Sequence, residues 1–291
     1  MTIQIACVAP LGCILGEGPV WDEAGYLWWV DIKAPALHRY RLEGGEVRTW
    51  PMPEPVGSIA LRRQGGLILA LAGGLAFFEP ESGALQRLFD PEPQSPQNRL
   101  NDGKCDAMGR FWFGSMHDPE KEPTGQLYRL DPGLDLERFE MDFVVTNGPA
   151  WSVDGATFYY TDSVERRIWA YDFDMGAGRL GARRLFAELT PEEGHPDGMC
   201  VDAEDHLWGA CWNGARVARR RPDGSPDREI VLPAPLVSSC CFGGPGLDIL
   251  FVTTARMGLK PEELEAAPLA GGLFAVRGLG VKGRPMPLFA G

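Results

Sequence analysis

The sequence predicts an all-β protein, a single six-bladed β-propeller domain over residues 1–291, on three observations. Glycine (37) and proline (25) are plentiful and tryptophan (9) is high, which suits many strands joined by tight turns and not a helical bundle. A unit of short apolar strand, Asp/Gly turn, aromatic strand and third strand recurs six times. Its hairpin turns, taken at Gly25, Gly66, Gly109, Gly155, Asp205 and Gly246, follow one another at 41, 43, 46, 50 and 41 residues, the spacing of a four-stranded blade. A chain of 291 residues buries a sizeable core, and all-β folds often use this length as one domain.

The clearest copies of the unit are 19–30, 149–160 and 199–208. Third strands follow the hairpins at 36–40, 75–78, 126–130 and 167–171, most of them ending in turn formers. Their aromatic side chains are read as packing between neighbouring blades, not as a ligand cage.

A formal charge of −12 and a pI near 4.9 oppose binding to nucleic acid or to an anionic membrane, since both require a basic face. One basic cluster, Arg219-Arg220-Arg221, runs into the turn Pro222-Asp223-Gly224 and reads as a solvated strand end. The N-terminus lacks a secretory signal, and the longest apolar run, 67–78, is too short and Gly-broken to span a bilayer. Seven cysteines without paired spacing, most in apolar strand text, predict reduced thiols and a cytoplasmic location. A monomer or weak homo-oligomer is expected.

Eight residues before the hairpin anchors stand Glu17, Asn101, Asn147 and Asp197, a ring of oxygen donors at the start of the innermost strands. The two looser repeats place Ser58 and Ser238 there. Glycine follows Glu17, Asn147 and Asp197 directly, whereas aligning the third repeat on its glycine selects Asp102 instead of Asn101. Asx-Gly and Glu-Gly pairs also make ordinary turns, but the same register in four repeats favours one shared cation site. Carboxylate and amide oxygens suit a hard divalent ion, and four histidines without zinc-type spacing disfavour classical zinc chemistry. Among Ca, Mg, Mn, Zn and Fe(II) the identity stays open. His117 and His195 lie close by in sequence and read as hydrogen-bonded structural residues. No G-x-S-x-G elbow, P-loop, H-E-x-x-H or complete G-x-G-x-x-G is present.

The segments Leu15-Gly16-Glu17-Gly18-Pro19-Val20-Trp21, Arg99-Leu100-Asn101-Asp102-Gly103-Lys104, Thr146-Asn147-Gly148-Pro149 and Pro196-Asp197-Gly198-Met199 occur in this order. Together they resemble the SMP-30/gluconolactonase (regucalcin-like) family over roughly residues 12–277. The tail segments 251–256 and 268–274 are similar to bacterial aldonolactonases, including xylonolactonases. The resemblance implies a six-bladed propeller with a metal held by Glu17, Asn147 and Asp197, and with Arg99 and Asn101 contacting substrate, which favours Asn101 over Asp102. It also implies hydrolysis of a small sugar lactone, pentono- or hexono-, to the aldonic acid, with Asp197 as general base toward water and the cation polarising the carbonyl. Whether Asp197 or the metal activates the water stays open. Some family members carry a substrate-contacting glutamate after the strand equivalent to 110–116, where this chain reads His117-Asp118-Pro119-Glu120-Lys121-Glu122. The alternatives are a related propeller esterase or organophosphate hydrolase, and a non-catalytic metal-binding propeller.

Overall fold

The computed structural model describes residues 2–291. Four sheets are antiparallel four-stranded meanders in chain order. The first comprises Gly16–Asp22, Tyr26–Asp31, Ala36–Arg41 and Val47–Pro51, and the second Val56–Leu61, Leu67–Leu71, Gly74–Glu79 and Ala84–Arg87. The third comprises Asn98–Cys105, Phe111–His117, Gly125–Leu130 and Leu136–Phe143, and the fourth Thr146–Trp151, Thr157–Asp162, Arg167–Asp174 and Arg179–Glu188. An eight-stranded sheet holds two further groups. His195–Val201, Leu207–Trp212, Arg216–Arg220 and Pro226–Val231 form one, and Leu236–Gly243, Ile249–Ala255 and Leu273–Arg277 the other, joined by the pair Trp212 and Leu236. Gln4–Ala9, from the head of the chain, completes the last group by pairing antiparallel with Leu273–Arg277. The first strands of successive groups pack on one another in chain order, and Leu236–Gly243 packs back on Gly16–Asp22, so the series of contacts closes on itself.

The turns explain why the repeat is so regular. Gly25, Gly66, Gly109, Gly155 and Asp205 all adopt left-handed backbone (φ 95, 68, 79, 71 and 63°), which glycine takes without cost and aspartate tolerates. In the sixth hairpin Leu247 (φ 52°) takes the left-handed position next to Gly246, which is why that repeat is the looser one in the sequence. Asp106 and Asp202 each brace a turn. One oxygen accepts turn amides (Met108 and Arg110 at 2.9 and 3.1 Å; Glu204 and His206 at 2.9 and 3.0 Å), and the other accepts an indole N–H, from Trp112 at 2.8 Å and Trp208 at 2.9 Å.

Aromatic rings fill the space between neighbouring groups. Trp112 meets Phe158 and Phe173 of the next sheet at 5.4 and 5.5 Å, and Trp21 stacks on Phe251 at 5.7 Å. Each such ring buries about 150–250 Å², worth on the order of 4–6 kcal/mol of transfer free energy. The Arg219-Arg220-Arg221 cluster departs from the solvated end that its turn suggests. Arg219 is 3% exposed and bonds Asp202, Glu204 and Asp227, and buried Arg220 bonds Glu193 at 2.9 Å, because burial of a guanidinium requires paired carboxylates that lie far off in sequence. Arg221 alone is exposed. No helix among the described residues is long and apolar enough to cross a membrane.

After the last strand the chain crosses the hairpin ends of all six groups. Lys282 accepts from the Ala203 amide (2.8 Å), the Gly283 amide donates to Leu247 (2.7 Å), and Arg284 reaches the Ser152 carbonyl (3.4 Å). Further on, the Trp21 amide meets the Met286 sulfur (3.4 Å), the Phe289 amide donates to Leu61 (2.8 Å) and the Ala290 amide to Gly109 (2.9 Å). Phe289 is fully buried.

One buried histidine gives this fold an acid limit. His38 stacks on Trp29 and bonds the Thr49 hydroxyl at 2.9 Å, and burial lowers its pKa from 6.5 to about 4 against the raising pull of Asp31. The unfolded chain therefore binds a proton that the folded chain refuses between these values, and stability falls as pH drops from 6.5 toward 4 by roughly 3 kcal/mol. Urea unfolding at pH 7 and pH 4.5 is expected to show this loss in wild type and to lack it in His38→Gln; equal losses in both proteins would rule it out.

Candidate functional site

At the end of the first strands opposite the hairpins, each strand shifts register against its neighbour at the same place. The shifts fall between Glu17 and Val20, Val56 and Ser58, Leu100 and Gly103, Asn147 and Ala150, Pro196 and Met199, and Val237 and Ser239. A bulge of this kind re-aims the side chain it carries. The chain needs glycine here for two reasons. Gly148 takes left-handed backbone (φ 80°), whereas Gly198 has no room for a side chain, since a Cβ there would stand 2.5 Å from the Ser239 Cβ. Gly198→Ala is expected to destabilise by about 2–4 kcal/mol, read as a lowered unfolding midpoint. An unchanged midpoint would show that the neighbouring strand yields freely.

The bulges bring five residues, Glu17, Arg99, Asn101, Asn147 and Asp197, to the wall of one cavity of about 190 Å³. All five are buried. Ser58 and Ser238, although in the same register, give their hydroxyls to backbone carbonyls of adjoining first strands, Asn101 (2.7 Å) and Gly16, and so stitch the ring together. Asp102 sits behind Asn101, 2% exposed, with Lys104 Nζ 3.4 Å from its carboxylate. Of the two residues left open by the register, Asn101 lines the cavity and Asp102 does not.

Hydrogen bonds fix the amides. Asn101 Nδ2 donates to the Thr146 carbonyl (2.7 Å) and to Asn147 Oδ1 (3.2 Å), while Asn101 Oδ1 accepts from Arg99 at 2.6 Å. Asn147 Nδ2 donates to Ser163 Oγ at 2.9 Å, which commits its amine end and leaves Oδ1 as its donor oxygen. Arg99 is anchored from behind by Asp118 (2.6 Å), which Lys33 also holds at 2.8 Å. Although burial pushes Asp118 up, Lys33 and Arg99 bring its pKa below the ordinary value.

The carboxylates are in an unusual state. Burial, and next the Asp102 carboxylate, push Glu17 up to about 8. Burial, then Glu17 and Asp102, hold Asp197 well above the ordinary aspartate value, and burial raises Asp102 against the pull of Lys104. Asp197 Oδ1 is buried without a hydrogen-bond partner. Three crowded acids, one orphaned oxygen and a set of carboxylate and amide donors fit a hard divalent cation. Among the described residues, the group of three histidine, cysteine or carboxylate ligand atoms that gathers within 4.8 Å is instead Asp202, Glu204 and His206, whose two carboxylates are bridged by the Arg219 guanidinium.

The cavity has further walls that the repeat does not announce: Glu120, His195, Trp212 and Asn213. Glu120 reaches it from an exposed loop through left-handed backbone (φ 56°). His117 is structural, bonding Gln97 at 2.8 Å and accepting the Lys121 and Glu122 amides that shape this loop. His195 lines the cavity, with one ring nitrogen 2.8 Å from the Ser163 carbonyl and the other 3.3 Å from Arg166.

The profile of the family described as SMP-30/Gluconolactonase/LRE-like region matches residues 15–256. Regucalcin of Oryctolagus cuniculus is 39% identical over 298 aligned positions, covering 100% of this chain and 99% of that protein. Among solved structures, regucalcin from Agrobacterium tumefaciens str. C58, described as a calcium-binding protein, is similar with a TM-score of 0.93 at 29% identity, over 97% of this chain and 96% of its own. A luciferin-regenerating enzyme is similar with a TM-score of 0.92 at 30% identity, over 99% and 100%.

Proposed function

The chain belongs to the SMP-30/gluconolactonase family, and from that footing we propose that it is a one-domain, six-bladed β-propeller that hydrolyses a sugar-derived lactone to its aldonic acid with the help of one divalent cation. The substrate class is a pentono- or hexonolactone. The observation that carries this reading is the orphaned, buried Asp197 Oδ1, in a cavity wall shared with Glu17, Asn147, Arg99 and Asn101. Glu17, Asn147 and Asp197 would hold the cation. The calcium-binding description of the Agrobacterium relative supports a hard ion. The free cysteines and acidic composition are consistent with a cytoplasmic protein acting as a monomer or weak homo-oligomer.

When bound, a divalent cation supplies Lewis-acid polarisation of the lactone carbonyl. The remaining work falls to this chain's own side chains. Asp197, on the same cavity wall as Glu17 and Asn147, is placed to take a proton from water as the water oxygen adds to the carbonyl carbon. The ring C–O bond then breaks, and the proton passes from Asp197 to the departing ring oxygen. Arg99, held by Asp118, directs positive charge at the oxygen where negative charge accumulates, and Asn101 orients ring hydroxyls.

The product acid ionises and releases one proton, so a pH-stat measures the reaction directly. Cation-loaded protein is expected to release acid from pentono- or hexonolactones, to lose that activity on stripping and to regain it on restoration. Carboxylic and phosphate esters in the same panel discriminate a broader esterase. Failure to release acid from any aldonolactone would sink the proposal.

A further inference from the structure

We infer that Cys200 and Cys240 form a dithiolate binding site for a soft monovalent cation, copper(I), toward the hairpin end of the first strands, away from the proposed lactone cavity. Their sulfurs stand 3.8 Å apart, one on His195–Val201 and the other on Leu236–Gly243, the first strands of two adjoining groups. Cys240 is fully buried, and half-buried Cys200 lines a second cavity of about 230 Å³. That cavity offers a route in from the hairpin side, and its walls include the sulfur-bearing residues Cys105, Cys241, Met175 and Met286.

The donor set selects the ion. Thiolates prefer soft cations, and the hard oxygen donors lie at the other end of the first strands. Among the described residues no third histidine, cysteine or carboxylate atom joins the two sulfurs within 4.8 Å, so the four ligands of a structural zinc are lacking. Copper(I), with a filled d shell, accepts two thiolates alone. With metal–thiolate bonds of about 2.3 Å, two opposed sulfurs stand roughly 4.6 Å apart, so the pair must open from its 3.8 Å resting contact as the ion enters.

Binding breaks two S–H bonds, forms two Cu–S bonds, releases two protons to solvent and changes no oxidation state. The anionic complex that results lies within the electrostatic reach of the buried Lys104 ammonium, which acts on both thiols. In the absence of metal, the Cys200 contact and burial hold the Cys240 thiol well above its ordinary pKa, so that thiol rests protonated.

The test is anaerobic titration of the full chain with the coloured copper(I)–bicinchoninate complex, which needs no lactone turnover and so fails or succeeds apart from the lactonase reading. Wild type is expected to withdraw one copper(I) per chain, with more avid uptake at higher pH. Cys200→Ala and Cys240→Ala should each weaken uptake by about a hundredfold. Cys105→Ala, in the same cavity wall, should leave uptake unchanged. Thermal unfolding midpoints equal to that of wild type establish that the variants fold, and either single variant that folds suffices. Absence of uptake by wild type, uptake undiminished in the folded Cys200 or Cys240 variant, or an equal loss in Cys105→Ala would overturn the assignment.

Discussion

Asp197→Asn is expected to lower aldonolactone turnover by about a thousandfold, the usual worth of a positioned general base, while leaving the fold intact. The substitution conserves shape, and the site tolerates an uncharged group there because burial and the Glu17 and Asp102 carboxylates already favour the neutral acid. What disappears is the basic oxygen. Losing one carboxylate should also weaken binding of a divalent cation, so turnover must be compared at saturating ion. If the variant retains wild-type turnover at saturation, Asp197 is not the base. If wild type has no turnover while the substitution alters only ion binding, the molecule is a non-catalytic cation-binding propeller.

The second large effect is the response of stability to cation and pH together. Glu17 moves from 4.5 in the unfolded chain to about 8 in the fold. The folded, cation-free protein therefore holds a proton that the unfolded chain gives up, and this contribution is complete below 4.5 and lost as pH rises through about 8. A divalent ion binds the ionised acids and reverses the trend. Its apparent affinity is expected to strengthen by up to about tenfold per pH unit between pH 6 and 8 for each proton displaced. At a hundred times the dissociation constant the ion adds about 2.7 kcal/mol of stability. Calorimetry with calcium or chelator at pH 6 and pH 8 checks this. His38 affects both samples alike, so the difference between them isolates the acids. A calcium effect equal at both pH values would remove Glu17 and Asp197 from the binding event.

Much of this was legible in the sequence because it is local. Each turn and its strand lie within a dozen residues, so the positions of Glu17, Asn147 and Asp197 relative to their hairpins survive as simple spacing. Asn101 and Asp102 could not be separated by spacing, since consecutive strand residues face opposite ways and the register shift between Leu100 and Gly103 decides which one meets the cavity. The family resemblance pointed to the segment that holds Glu120, but spacing could not choose it over Glu122. The approach of Glu120 depends on a loop held by His117, and loops carry no period. The burial of Arg219 and Arg220 was equally invisible, because Asp202 and Glu193 lie 17 and 27 residues away. The pairing of Gln4–Ala9 with Leu273–Arg277 is the extreme case, as no local signal tells an opening strand which partner awaits it.

That pairing also governs when the protein can finish folding. During synthesis the meanders can form as they emerge, but Gln4–Ala9 has no partner until Leu273–Arg277 has been made. Until then the growing arc carries an unpaired strand and a bare aromatic flank at Trp21, both prone to misassociation. Joining these two strands is thus a late event of very long loop closure, slow to reach.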